Sequence, residues 1–293
     1  AASSPSTAAC CRPCERALGG PHVVSLDAAR GLLACPVCTR PLSASADGRA
    51  WACDQGHSFD LARHGYVNLL GARPPANADT AEMVAARERV LNSGLYDPIA
   101  DAVARRLARC STILEAGAGT GFYLARALGE RDARGVALDV SVAAARRAAR
   151  AHPRAASVVA DTWGTLPLLP GRLSAVLCVF APRNMAEFAR VLASGGLLVV
   201  VTPTASHLAE LRADYGLVGI EDDKDARLQR SAVGVFEPVA RVGVEYRARA
   251  MASQVRDLIA MGPNAFHGVP DDVRGAEIGV SVTVSLFRKP SPA

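Results

Sequence analysis

The stretch Thr112-Ile-Leu-Glu115-Ala-Gly117-Ala-Gly119-Thr120-Gly121-Phe-Tyr-Leu decides the fold of this chain of 293 residues. It reads as a short apolar strand, then a glycine-rich turn, then the start of a helix. Glycine permits positive φ angles and lets the backbone approach a ligand closely. The turn departs from the dinucleotide pattern G-x-G-x-x-G and lacks the Lys-Ser/Thr of a phosphate loop. We therefore interpret it as a ligand-binding turn of another type.

Short apolar runs alternate with helical patterns beyond this turn and predict an α/β fold. Strands are predicted at 112–116, 135–139, 157–160, 175–180 and 197–202. Helices are predicted at 141–151 and at 184–193, where Asn184 and Glu187 resemble a capping box. Strands separated by helices predict a mostly parallel sheet that is covered on both faces. Farther along, residues 237–250 predict a strand, 252–260 a short helix and 279–288 a closing strand.

Three acidic residues stand at the carboxyl ends of successive predicted strands. Glu115 precedes the glycines, Asp139 ends the next strand, and Asp161 follows the third. Open α/β sheets bind ligands at these strand ends. Glu115 can lie by the methionine part of S-adenosylmethionine, Asp139 can accept both ribose hydroxyls, and Asp161 can contact the adenine amino group. The pattern favours a class I methyltransferase, with a Rossmann-like and mostly parallel sheet of seven strands. The alternatives are simple helix caps or an NAD site that uses the same acid.

Eight cysteines, most of them near the start of the chain, indicate a metal site. Cys35, Cys38, Cys53 and His57 have the spacing C-x2-C-x14-C-x3-H. Three thiolates and one imidazole complete a tetrahedral shell, which is typical of structural zinc. A module this small has too little core to fold alone, and metal binding supplies free energy of folding. A second pair, Cys11 and Cys14, can compete for the metal, and reduced core cysteines are the alternative to a metal site.

These patterns divide the chain into four parts. Residues 1–30 have no clear period and predict a poorly ordered extension, and residues 31–70 form the zinc-binding module. Residues 71–109 contain a linker and helices, the second of which opens with Asp97-Pro98 as an N-cap followed by proline. Residues 110–293 form the methyltransferase domain.

Composition and charge exclude several classes of protein. Half of the residues are hydrophobic and 21% are charged, as in ordinary globular chains. The net charge of +5 permits an anionic partner without requiring one. No apolar run approaches the roughly 20 residues that a membrane-spanning helix needs. The start of the chain lacks the pattern of a secretory signal, so we expect a cytoplasmic protein.

Further motifs in combination resemble a known family. They are Cys35-Pro-Val-Cys38, Cys53 to Asp60, Gly65-Tyr-Val-Asn-Leu-Leu70, Asp79 to Met83, Ala86-Arg87, Leu91 to Tyr96, Val179-Phe-Ala-Pro182, and Thr202-Pro203 with His207-Leu208. From about residue 31 onward the chain resembles the ribosomal RNA large-subunit guanine-N1 methyltransferases. The variants at 161–163 and 180–184 look closest to the actinomycete branch that confers resistance to tylosin-type macrolides.

The resemblance implies a function and a set of site residues. The implied reaction is methyl transfer from S-adenosylmethionine to N1 of a guanine in a 23S rRNA hairpin lining the peptide exit tunnel, giving resistance to tylosin/mycinamicin-type macrolides. A homodimer is also implied. The implied zinc ligands are Cys35, Cys38, Cys53 and His57. The implied cofactor contacts are Tyr96, Gly119, Thr120 and His207, which join Glu115, Gly117, Asp139 and Asp161 in the predicted cofactor site.

The target base imposes further requirements. Guanine N1 carries a proton at neutral pH, so the site must remove it or stabilise the enolate-like form and align N1 with the methyl group. An unpaired or flipped-out base is favoured. We expect Phe180 and Pro182 to shape the base pocket and Arg183 to be a candidate for stabilising oxygen charge, with plain packing or surface exposure as alternatives. No general base is identified.

The zinc module is predicted to clamp RNA. Arg40, Arg49 and Arg63, with nearby His64, are candidates for phosphate contacts, and Trp51 either stacks on RNA or packs beside the metal. Two other functions fit the same motifs: a methyltransferase for a small natural product, with the zinc module as a lid, and a catalytically inactive RNA-binding zinc protein. Methylation of 23S transcript against small acceptors separates the first from the main hypothesis. The intact acidic and glycine positions argue against the second.

Overall fold

The computed structural model describes residues 27–71, 75, 78–219 and 224–291. Cys10, Cys11, Cys14 and most of the predicted linker lie outside these residues. The helices are α1 (Ala81–Asn92), α2 (Asp97–Arg106), α3 (Phe122–Leu128), α4 (Val142–Ala148), α5 (Met185–Val191), α6 (Ala209–Tyr215), α7 (Lys224–Ala232), α8 (Ala252–Ala260) and a 3₁₀ helix (Pro263–His267). The strands are β1 (Ser43–Ala44), β2 (Ala50–Ala52), β3 (Ser58–Asp60), β4 (Tyr66–Asn68), β5 (Thr112–Ala116), β6 (Arg134–Asp139), β7 (Ala155–Val159), β8 (Leu173–Val179), β9 (Leu192–Pro203), β10 (Glu237–Ala250) and β11 (Ala276–Arg288).

A large mixed sheet forms the centre of the molecule. Its strand order is β10-β11-β9-β8-β5-β6-β7-β4. The strands from β4 to β9 pair in parallel, whereas β11 runs antiparallel to β9, and β10 antiparallel to β11. The predicted mostly parallel sheet is therefore confirmed, with one difference. Seven strands were expected, and among the described residues an eighth, β4, comes from the zinc-binding module.

Burial on both faces explains why the parallel strands read as continuous apolar runs. Every residue of β7 is buried, and β5 is buried from Ile113 onward. Two hydrophobic clusters, one on each face, enclose the sheet. The order also places the carboxyl ends of β5, β6 and β7 side by side, which gathers the three acids at one edge.

Helix starts agree with the sequence in part. Thr80 caps α1 by accepting from the Met83 N–H. Asp97, expected as an N-cap, is instead the first residue of α2, and Tyr96 occupies the cap position. Asn184 accepts from the Glu187 N–H, but the Glu187 carboxylate accepts from the Leu166 N–H at 2.7 Å and pairs with Arg190. The expected capping box is therefore only half formed.

The zinc-binding module and the methyltransferase domain share structure. Strands β1, β2 and β3 form a small antiparallel sheet, while β4 pairs in parallel with β7. Trp51 is buried in a cluster that also contains core residues of β5, β6 and β7, so it packs rather than stacking on a ligand. Residues 27–30 form a helical turn with Ala29 fully buried, so ordered structure begins before the boundary expected at residue 31.

Candidate active site and metal centre

The glycine-rich turn between β5 and α3 brings the backbone against the loop that follows β8. Gly117 and Gly119 have φ angles of +69° and +54°, which side chains of L-residues rarely adopt. A Cβ atom at Gly117 would lie 2.4 Å from the Ala181 Cβ. The Gly117 and Ala118 N–H groups both donate to the Leu138 carbonyl at 2.9 Å, which fixes the turn to β6. The turn therefore has no room for a side chain at Gly117.

Glu115 is the most deeply buried of the three acids. Glu115 is the penultimate residue of β5 and is 1% exposed, and its Oε2 accepts from the Leu124 N–H at 3.0 Å. Burial raises the pKa of Glu115 to about 8, against the opposing effect of that hydrogen bond, and the nearby Asp139 raises it further. The carboxyl group is therefore mostly protonated at neutral pH until a cation reaches it.

Asp139 and Asp161 extend the acidic side of the site. The Asp139 carboxylate accepts from the Gly119 N–H and the Ser141 N–H, both at 2.8 Å. Burial raises the pKa of Asp139, and these two hydrogen bonds oppose the rise. Asp161 is partly exposed, and its Oδ1 accepts from the Trp163 N–H at 2.9 Å. Both carboxylates retain lone pairs for a ligand's hydroxyl or amino groups.

One cavity of about 710 Å³ joins these acids to the glycine-rich turn. Two predicted site residues do not line this cavity. Thr120, predicted to contact the cofactor, is buried elsewhere, and Arg183, predicted for the base pocket, lies outside the lining. The predicted residues that do line it are Tyr96, Glu115, Gly117, Gly119, Asp139, Asp161, Phe180, Pro182 and His207. Residues that sequence reasoning did not assign to the site also line it: Met83, Arg87, Tyr123, Trp163, Leu258 and Phe266.

The donor set of this cavity fits S-adenosylmethionine. The Tyr123 hydroxyl is buried and has no hydrogen-bond partner among the described residues, so a ligand group is needed to satisfy it. Arg87 is the one cationic side chain among the described lining residues, and it pairs with Asp79 and donates to the Met261 carbonyl at 2.6 Å. An arginine, an unpaired hydroxyl and buried acids suit a ligand that carries a carboxylate, two cationic centres and a ribose.

Tyr96, His207 and Phe180 form an aromatic group in the lining of the same cavity. Their ring centroids lie 5.7–6.2 Å apart. The Ser281 N–H donates to His207 Nδ1 at 3.3 Å, so Nε2 carries the ring proton and faces the Tyr96 hydroxyl, also at 3.3 Å. Burial, with Arg212, lowers the pKa of His207 to about 4. His207 is therefore neutral, and the hydroxyl proton of Tyr96 is left available to a ligand.

Phe180 departs from ordinary backbone geometry. Its φ angle is +53°, and the residue is 41% exposed although it follows a buried strand. The Phe180 N–H donates to the Val201 carbonyl at 3.1 Å, and the Cys178 thiol contacts the carbonyls of Ala181 and Pro182 at 3.4 and 3.3 Å. A bulky residue in the left-handed region costs about 1–3 kcal/mol and is typical of functional sites. The strained turn presents the ring to the cavity.

The four predicted metal ligands converge in the zinc-binding module. The ligand atoms of Cys35, Cys38, Cys53 and His57 all lie within 4.8 Å of one another. The Cys38 and Cys53 sulfur atoms are 3.7 Å apart, and the Cys53 sulfur lies 3.3 Å from His57 Nδ1. Tetrahedral zinc with Zn–S bonds of about 2.3 Å places two sulfurs about 3.8 Å apart, so the set fits zinc. His64 is not part of this cluster.

The sheet, the acidic cavity and the metal cluster define a class I S-adenosylmethionine-dependent methyltransferase with a zinc ribbon, and its cofactors are S-adenosylmethionine and zinc. The RlmA N-terminal family model matches residues 33–74, and a methyltransferase domain model matches residues 113–196. Among the described residues, every helix is too short or too polar to span a bilayer.

Two relatives of high sequence identity narrow the class to one family. A Micromonospora griseorubida protein named as a 23S rRNA (guanine-N1)-methyltransferase is 46% identical over 86% of this chain and 94% of its own. The 23S rRNA (guanine(748)-N1)-methyltransferase of Streptomyces fradiae is 44% identical over 87% and 96%. A solved structure, the tRNA (m1A58) methyltransferase of Aquifex aeolicus, is 14% identical over 73% and 77%, with a TM-score of 0.47. The chain belongs to the family of 23S rRNA (guanine-N1)-methyltransferases.

Proposed function

We propose that this enzyme methylates N1 of guanine 748 in 23S rRNA, in a hairpin that lines the peptide exit tunnel, and so gives resistance to tylosin/mycinamicin-type macrolides. Two relatives support the substrate, one of which is named for guanine 748 and is 44% identical. The structural observation that carries the proposal is the Phe180 ring, which the strained turn holds exposed beside the cofactor cavity. Because ribosomal RNA is cytoplasmic, we propose that the enzyme works in the cytoplasm. We also propose that it is a homodimer.

The residues of the site have separate tasks in this proposal. Glu115, Asp139 and Asp161 hold the cofactor, whose sulfonium supplies an electrophilic methyl group. Phe180, with Pro182 beside it, provides an apolar surface on which an extruded guanine stacks. Trp163 and Phe266, 67% and 53% exposed at the same cavity, are suited to the neighbouring bases. Catalysis then rests on holding N1 in line with the methyl group.

Proton transfer from N1 is constrained by His207 and Tyr96. Because His207 Nε2 already carries a proton, this nitrogen does not accept one from guanine. The Tyr96 hydroxyl is instead a hydrogen-bond donor, able to stabilise negative charge on the guanine oxygen as N1 loses its proton to solvent water. Arg183 lies outside the cavity lining, so we assign the stabilising contact to Tyr96 in its place.

Primer extension on 23S rRNA tests the substrate. A methyl group at N1 blocks the Watson–Crick edge, so a new stop is expected beside guanine 748 when the enzyme and S-adenosylmethionine are present. Phe180→Ala should lower kcat/KM for RNA by about five- to 150-fold, because stacking contributes about 1–3 kcal/mol per base. Val239→Ala, which removes an exposed apolar side chain of β10, is the matched control and should leave the rate unchanged. A folded, zinc-loaded enzyme that produces no stop would refute the proposal, and tylosin susceptibility of an expressing host tests resistance.

A further inference from the structure

A group of basic side chains lies where the zinc-binding module meets the methyltransferase domain. We call it the seam cluster: Arg63 and His64, which precede β4, and Arg146 and Arg150, from α4 and the turn after it. The three arginines are exposed. Arg63 Nε lies 3.2 Å from His64 Nε2, and Arg150 Nη2 lies 3.5 Å from His64 Nδ1. Arg63 of the zinc-binding module and Arg150 of the methyltransferase domain therefore both contact the His64 imidazole.

The seam cluster is electrostatically unbalanced. Within the described residues, none of its three arginines has an acidic partner within 4.0 Å, whereas their neighbour Arg147 pairs with Glu88 at 3.0 Å. Burial lowers the pKa of His64, and the three arginines lower it further, so the imidazole stays neutral between them. A neutral imidazole accepts only one hydrogen bond, yet guanidinium donors face both of its nitrogens. One guanidinium N–H therefore has no acceptor on the imidazole, and because the arginines are exposed an anion can reach it.

The position of the seam cluster limits what that anion can be part of. Tyr66 of β4 pairs with Ser157 of β7 in parallel, so the loop before β4 lies at the amino edge of the sheet. The cofactor cavity lies at the carboxyl edge, and the five residues of β7 separate the two edges by roughly 16 Å. A free nucleotide or phosphate in the cavity does not reach this cluster, but the backbone of a structured RNA can contact both.

Its composition favours RNA over a protein partner. The cores of protein interfaces are apolar, with aromatic anchors. None of the exposed large hydrophobic side chains of the described residues belongs to segments 61–66 or 142–151. Arginines without acidic partners are suited to bidentate contacts with phosphate oxygens. The sequence also offered Arg40 for phosphate contact, but its guanidinium is paired with Asp54.

We propose that the seam cluster binds backbone phosphates of the RNA substrate, at a distance from the methylated base; this inference rests on the proposed function. The contact is independent of sequence and positions the hairpin so that the extruded guanine reaches Phe180. Removing it should weaken RNA binding without changing the chemical step or the cofactor site.

Charge removal at the seam cluster tests this inference. The variant Arg63→Gln/Arg146→Gln/Arg150→Gln is compared with Arg30→Gln/Arg126→Gln/Arg274→Gln, which loses the same charge from exposed arginines paired with acids. Affinity for a 23S hairpin transcript is measured across a salt series, together with steady-state methylation and calorimetric binding of S-adenosylmethionine. Each lost phosphate contact lowers the salt slope by about 0.7–0.9.

For the seam variant, which loses three contacts, we expect a fall in slope of about 2–3, a rise of at least tenfold in KM for RNA, and unchanged kcat and cofactor affinity. The paired-arginine variant should retain the slope and KM of the unsubstituted enzyme. Equal slopes and KM values for the two variants would overturn the inference. If the unsubstituted enzyme binds but does not methylate the transcript, the proposed function fails, and the two slopes still decide whether the seam cluster contacts RNA.

Discussion

The buried carboxyl of Glu115 should couple cofactor binding to proton release. With a pKa of about 8, Glu115 carries its proton in most molecules at pH 7. A ligand with a sulfonium and an ammonium group binds better to the ionised carboxylate, so its arrival should expel the proton. If binding requires the ionised form, the apparent Kd is about tenfold weaker at pH 7 and about a hundredfold weaker at pH 6 than above pH 8.

Glu115→Gln is the matched perturbation, because glutamine keeps the shape and the oxygen that accepts from the Leu124 N–H but does not ionise. Isothermal titration of S-adenosylmethionine in buffers of different ionisation enthalpy measures proton release directly. We expect close to one proton per site at pH 7 for the unsubstituted enzyme. Glu115→Gln should release well under one proton per site, because only the ligand's own groups can still titrate.

The same substitution should change the stability of the cofactor-free protein. Since the folded pKa of Glu115 lies above its ordinary value of 4.5, its contribution is full below about pH 4.5 and is lost as pH rises through 8. Glu115→Gln should therefore be the more stable form at pH 9 by up to roughly 5 kcal/mol, measured by urea unfolding. Cofactor affinity that is flat from pH 6 to 8 in both proteins, with no excess proton release, would refute this reasoning.

Three further predictions follow from the same geometry. Gly117→Ala should lower cofactor affinity at least tenfold because of the clash with Ala181, whereas Gly31→Ala, also at positive φ but with no atom within 4 Å, should leave calorimetric affinity unchanged. Because the pKa of His207 is lowered to about 4, the free energy of unfolding should fall by roughly 3 kcal/mol as the pH falls from 6.5 to 4. For His207→Gln, the free energy of unfolding measured in urea should depend less on pH over that range. Zinc chelation should expose Trp51, shifting its fluorescence to longer wavelength in a Trp163→Phe background; an unshifted spectrum after verified metal loss would contradict the structural role.

Local patterns predicted the parts of the site that depend on neighbouring residues in sequence. The strand, turn and helix at 112–124 and the acid at the end of β6 formed as expected, because buried parallel strands and tight turns impose their own residue types. The ligand spacing C-x2-C-x14-C-x3-H also brought the four metal ligands together. In each case the constraint is contained within one short segment or one metal shell.

Sequence patterns did not predict contacts between segments that are far apart along the chain. Glu187 follows Asn184 at capping-box spacing, yet Leu166 and Arg190 compete for its carboxylate. Arg183 adjoins Pro182 in sequence but does not line the cavity, whereas Arg87 reaches it from α1. The sequence predicts Tyr123 only as a residue at the start of a helix. The fold shows that its hydroxyl is buried and has no hydrogen-bond partner among the described residues.

Because β4 pairs in parallel with β7, the zinc-binding module supplies the edge strand of the catalytic sheet. Every residue of β7 is buried, and without β4 its backbone N–H and C=O groups would form an open, hydrophobic border. Such borders recruit strands from other molecules. Deleting the first 70 residues should therefore yield a protein that self-associates, and depletion of the metal in a cell should appear as loss of the enzyme through aggregation.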